Sequence, residues 1–189
     1  KYIAGLILVA VLLFFFFFSI AYPNGWLFIA LLFVPMFFLG LFLLLKAPDL
    51  LAKRLNTKEK ESTQKKVVGL SAFQFLLSFL LAALDFRFVW SHLPPMVVGT
   101  ASVILLLSYG LYAEVMRENT YLSRTVEVQE GQKLIDTGLY SIVRHPMYAV
   151  TLVLFLSMPL VLGSGLAFVV FLAYPAIIAK RIRNEEEVL

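Results

Sequence analysis

No cysteine occurs anywhere in the 189-residue chain, which removes disulfides, thiolate nucleophiles and Cys-ligated zinc. Histidine is nearly as scarce: His92 and His145 are the only two, too little for a histidine-rich metal site, so no metal is expected. Charged residues make up 15% of the chain, against about 25% in soluble domains. Apolar residues take their place, at 61% of the chain and a mean hydropathy of +0.89. Several apolar runs reach the roughly 20 residues needed to cross a ~30 Å hydrocarbon layer. This composition excludes a water-soluble globular domain and predicts an integral, multi-pass membrane protein. The formal charge of +4 does not point to nucleic acid. The basic residues flank apolar runs, where they set topology and meet anionic lipid head groups.

The expected architecture is all-α: a polytopic transmembrane helical bundle with four full spans and a C-terminal helical hairpin. The spans cover roughly residues 3–21, 26–45, 67–89 and 96–116, following apolar run length. Tyr22-Pro23-Asn24-Gly25 is a turn signal between the first two. No small-residue cleavage pattern follows the first run, so a retained helix is expected in place of a signal peptide. The last apolar run, Pro146 to Lys180, would measure about 50 Å as one helix and would strand Lys180, Arg181 and Arg183 on the far face. Pro159, Gly163, Ser164 and Gly165 interrupt it. A hairpin with arms near 146–162 and 165–180 removes both problems. The chain then forms one membrane domain, 1–189, with four spans in 1–116 and a cofactor-binding and catalytic region in 117–189. Lys46, Lys53, Arg54, Lys58, Lys60, Lys65 and Lys66 crowd one loop, which reads as a lipid-surface segment, and Arg87 stands almost alone near the next. The positive-inside rule places the basic segments, and with them the cofactor pocket, on the cytoplasmic side.

Polar chemistry concentrates at three places. Gly138-Leu139-Tyr140-Ser141-Ile142-Val143-Arg144-His145-Pro146-Met147-Tyr148 packs an Arg, a His and two Tyr against the start of a helix. Pro146 suits the first turn, and the amides there, with the helix dipole, would receive a carboxylate or phosphate. An ordinary account also exists: interfacial Arg, His and Tyr beside a helix-starting Pro. Arg181 and Glu185 are spaced i,i+4 and share a helical face; taken alone they read as a solvated helix end. Glu114, Arg117, Glu118 and Asn119 close the fourth span, with Glu114 near membrane depth, where ionisable groups usually face a protein interior, or at a helix end meeting water early. His92 is read as structural, and Asp85 and Arg87 as interface residues.

Gly-x-Tyr-x-x-x-Arg-His-Pro-x-Tyr at Gly138–Tyr148, followed by Arg-Ile-x-x-Glu-Glu-x-x-Leu at Arg181–Leu189, resembles the isoprenylcysteine carboxyl methyltransferase family over roughly Asn119–Leu189. The resemblance implies S-adenosyl-L-methionine as cofactor. It assigns backbone and apolar contacts to Gln132, Lys133, Leu134 and Ile135. Tyr140, His145, Pro146, Met147 and Tyr148 would line the cofactor, Glu185 would contact it, and Arg181 would face the methyl acceptor, making Arg181 and Glu185 the catalytic pair. Val150 stands where the family often has Gly, which bears on the acceptor's identity. The implied partners are a lipophilic acceptor entering from the bilayer, between the fourth span and the hairpin, and membrane lipids. Rival readings are a phospholipid amine methyltransferase, a nicotinamide-dependent sterol-type reductase and a non-enzymatic membrane scaffold. The hairpin predicts that a tag at residue 189 is accessible from the same side as the basic loops; access only from the opposite side would contradict it.

Overall fold

The computed structural model describes residues 2–14, 21–56, 62–123, 131 and 134–188. The described residues form α1 (Tyr2–Phe14), α2 (Pro23–Lys46), α3 (Pro48–Leu55), α4 (Ser62–Phe88), α5 (Pro95–Glu118), a 3₁₀ turn (Gly138–Ser141), α6 (Pro146–Val161), α7 (Gly165–Phe171) and α8 (Tyr174–Val188). No strand occurs among them. Four helical stretches are long and apolar enough to cross a membrane: Pro23–Lys46, Ser62–Phe88, Pro95–Glu118 and the α7–α8 arm Gly165–Glu187. The fourth is therefore the returning arm of the expected hairpin, which runs about two turns past its expected end. The first apolar run is described as helix over Tyr2–Phe14, and residues 15–20 lie outside the described residues.

Proline sets several helix starts. Pro23, Pro48, Pro95 and Pro146 occupy first-turn positions, where the missing N–H breaks no helical bond. The hairpin turn falls within the expected breaker cluster, at its glycine. α6 runs through Pro159 to Val161 and closes in a Schellman motif: Ser164 N donates to Pro159 O at 3.0 Å and Gly163 N to Leu160 O at 3.0 Å. Gly163 has φ +77°, which glycine adopts without steric cost. Ser164 then caps α7 by accepting from Ala167 N at 3.1 Å. Gly163, not Pro159, ends the helix.

α5 packs along α6 more extensively than any other helix pair, and α4 packs along α7 and α8. Below the basic end, Phe75 of α4 meets Phe155 of α6 at 4.7 Å and Phe171 of α7 at 5.0 Å between ring centroids, both edge to face. Tyr174 joins the same cluster. In a bilayer, lipid tails are as apolar as the helix faces, so packing and interhelical hydrogen bonds hold helices together. α4 supplies these bonds from one stripe: Gln64, Gln74, Ser78 and Asp85 are all buried, and Gln74 Nε2 donates to Val170 O at 2.8 Å.

Asp85, three residues from the end of α4, is 1% exposed, held inside the protein by partners that its span-end position does not reveal. Its carboxylate accepts from Ser164 Oγ at 2.5 Å, from Ser91 N at 2.6 Å and from the Ser91 hydroxyl. Ser91 Oγ in turn accepts from Gly165 N at 2.8 Å, and Tyr22 OH donates to Leu162 O at 2.6 Å. This knot clasps the hairpin turn to the end of α4. Asp85→Ala leaves two serines without their acceptor, and hydrogen bonds to charged groups are worth about 1.5–3 kcal/mol. Thermal unfolding in detergent should show a loss of about 3 kcal/mol; an unchanged transition would contradict the clasp.

Candidate functional site

α6 holds 16 residues and α5 24, about 24 Å against 36 Å at 1.5 Å per residue. Because the two are packed side by side, the short helix leaves a notch at the basic end, between the end of α5 and the end of α8. Across this notch Tyr140 meets the end of α5 at Asn119, and His145 and Tyr148 meet α8.

Tyr148 lies at the centre. Its hydroxyl donates to Glu185 Oε2 and accepts from Arg181 Nε at 3.0 Å. The Arg181 guanidinium lies 6.0 Å from the Tyr148 ring centroid. One phenol thus links the two α8 residues whose i,i+4 spacing puts them on one face. Beside it, Glu186 pairs with His145 Nε2 at 2.9 Å and with Arg144 at 3.3 Å. His145 and Tyr148 rings stand 5.9 Å apart. Pro146 is buried, and Met147 and Tyr148 are half-buried. The Tyr140 hydroxyl accepts from Asn119 Nδ2 at 3.0 Å. Burial pushes the Tyr140 phenol above its ordinary pKa, against the Asn119 hydrogen bond, so it keeps its proton through the neutral range.

The expected anion cradle is smaller than its sequence suggests. Tyr148 N and Ala149 N both donate to His145 O, at 3.1 Å each. Pro146 has no N–H, so of the amides at Pro146–Tyr148 only that of Met147 remains. Leu134 is 91% exposed and Ile135 half-buried. Gln132 and Lys133 lie outside the described residues. α5 and α6 are packed face to face.

Three contacts escaped the sequence reading. Glu186, not only Glu185, faces the motif segment, because both lie toward α6 on one turn of α8. Glu118 accepts from Thr137 Oγ1 at 2.8 Å and packs against Gly138, where φ is +55° and an added Cβ would meet the carboxylate carbon at 2.8 Å. The backbone at 138 thus favours glycine, and a Cβ there would displace the Glu118 carboxylate. The third is Gln64, fully buried on α4, whose Nε2 donates to Asn184 Oδ1 at 2.7 Å and Arg181 O at 3.2 Å. Its signal was the polar spacing along an apolar span, Gln64, Ser71, Gln74, Ser78 and Asp85, which marks one face of a helix.

An all-helical membrane protein with a polar site at one end of its bundle is the class that these features define. Residues 98–189 match the isoprenylcysteine carboxyl methyltransferase (ICMT) family, and this region, which carries every motif residue, belongs to that family of membrane methyltransferases. No curated protein and no solved structure matches the chain. Gln64 lies outside the matched region and still holds the turn of α8 that carries Arg181 and Glu185. Gln64→Ala and Asn184→Ala remove the same hydrogen bond, so their effects on methyl-transfer turnover should be non-additive; strictly additive losses would contradict the contact.

Proposed function

We propose that the chain transfers a methyl group from S-adenosylmethionine to a lipophilic acceptor, the carboxylate of an isoprenylcysteine-like molecule. The observation that carries this reading is the meeting of Arg181, Tyr148 and Glu185 at one hydroxyl, within the region that matches the family. S-adenosylmethionine supplies an electrophilic methyl carbon on a positive sulfur, so an ionised carboxylate accepts it without a base or a covalent enzyme intermediate. The residues' work is to orient and to exclude water.

The residues present fit such a cofactor. A cation in a half-buried, aromatic-lined notch is favoured by a carboxylate and by ring faces; Glu185 and Tyr140 supply these. The cofactor's own carboxylate has the Met147 amide at the helix N-terminus and the neighbouring Arg144. Arg181 suits a carboxylate of the acceptor because its planar fork binds two oxygens at once, which lysine does not reproduce. Tyr148 holds Arg181 on one side and Glu185 on the other, fixing the separation of the acceptor and cofactor subsites. The basic end of the bundle faces the cytoplasm on the charge argument.

Binding comes first: S-adenosylhomocysteine should shift the melting of the detergent-purified chain, and NADPH should not. Methyl incorporation into a farnesylcysteine analogue, with no incorporation into lipid ethanolamine, then fixes the acceptor class; the reverse pattern would make it a phospholipid amine methyltransferase. Arg181→Lys should lower turnover by about tenfold or more while S-adenosylhomocysteine affinity stays within about twofold. Equal losses of both would remove Arg181 from the acceptor side.

A further inference from the structure

A cavity lies away from this site. It occupies about 690 Å³ between α2, α3 and α5, walled by Phe38, Leu39 and Phe42 of α2 and by Tyr109, Gly110 and Ala113 of α5. None of its lining residues belongs to the Tyr148 cluster. α5 separates the two, since Ala101, Leu105 and Ser108 are buried on another face of the helix. Tyr109 OH donates to Leu32 O at 2.9 Å and ties α5 to α2 below the cavity. Leu50 of α3 closes it at the basic end. Phe38 and Phe42 are exposed on the outer flank, so the cavity opens sideways, toward the bilayer.

Its rim is polar on one side only, the basic end. Arg117 there is satisfied internally, with Nε and Nη2 on Glu114 at 2.9 and 2.7 Å and a third contact to Glu118 at 3.1 Å. Lys53 Nζ reaches Thr120 O at 3.3 Å and lies 5.7 Å from the centroid of the Tyr121 ring. Lys46, at the rim, has no carboxylate partner among the described residues. An apolar slot open to lipid, ending at an ammonium that no carboxylate among the described residues pairs with, complements one kind of molecule: an apolar chain carrying an anionic head.

We infer that this groove binds an anionic glycerophospholipid of the surrounding leaflet, one acyl chain lying between α2 and α5 and the phosphate at Lys46. A zwitterionic lipid brings its own ammonium and offers Lys46 no net negative charge. A basic side chain near an anionic head group contributes about 1 kcal/mol, so a preference of about fivefold is expected.

The test is native mass spectrometry of the full chain in mild detergent, titrated with dioleoyl phosphatidylglycerol or dioleoyl phosphatidylcholine. The phosphatidylglycerol adduct should form about fivefold more tightly, and Lys46→Gln, at an exposed position, should abolish the difference. Gly110 has no neighbouring atom within 4 Å of an added Cβ, so Gly110→Phe fills the slot from inside and should weaken retention of both lipids. Equal affinity of the two lipids for the unaltered chain would overturn the inference. So would undiminished retention by a folded Gly110→Phe chain, or displacement of the lipid by a farnesylcysteine analogue, which would assign the groove to the acceptor's tail. Because the readout is lipid retention, it is independent of whether the Tyr148 site transfers methyl groups.

Discussion

The Tyr148 hydroxyl is where two helices distant in sequence become one site. It accepts from Arg181 and donates to Glu185, and neither contact forms unless α8 returns to the end of the bundle from which α6 departs. That return is a matter of length and of one turn. α6 is too short to match α5, the Schellman turn at Gly163 reverses the chain, and the 23-residue arm Gly165–Glu187 is long enough to come back past the start of α6. The notch left by the short helix is the space in which the motif segment and α8 meet.

Polar contacts secure this geometry where apolar contacts discriminate little. Lipid tails compete on equal terms for every Leu and Phe, so the register of α7 and α8 against α4 depends on the few groups that lipid cannot satisfy. They occur at both ends and in the middle: Asp85 at the hairpin turn, Gln74 on the Val170 carbonyl and Gln64 on Arg181 and Asn184. The edge-to-face rings around Phe75 fill the space between them. A helix placed by three such contacts presents Arg181 and Glu185 at a fixed height and rotation. For methyl transfer, which asks the protein for orientation and little else, that is the main contribution the scaffold can make.

Much of this was legible in the sequence because bilayer thickness and backbone satisfaction leave few solutions. Apolar runs located the long helices, and the Pro159–Gly165 cluster with the stranded tail cations required a reversal. The shared face of Arg181 and Glu185 followed from helical spacing. What was not legible depended on phase and on local hydrogen bonding. Three consecutive glutamates, Glu185 to Glu187, do not reveal which of them turns toward His145 until the rotation of α8 is known. The bond from Tyr148 N to His145 O, which narrows the anion cradle, is a detail of first-turn geometry. Asp85 looked like a span-end charge because its partners, Ser91 and Ser164, lie on a loop and on a helix cap that only the fold brings together. The stripe of Gln and Ser along α4 was visible, and its period was the available clue.

The account turns on the meeting of the motif segment and the end of α8, and a distance measures it most directly. The chain has no cysteine, so paired spin labels at Ile142→Cys and Glu187→Cys, both exposed positions, report without background. In lipid vesicles, pulsed electron paramagnetic resonance should give a separation well under the ~30 Å of the hydrocarbon layer. A separation of that thickness or more would put the two clusters on opposite faces of the membrane and contradict the site.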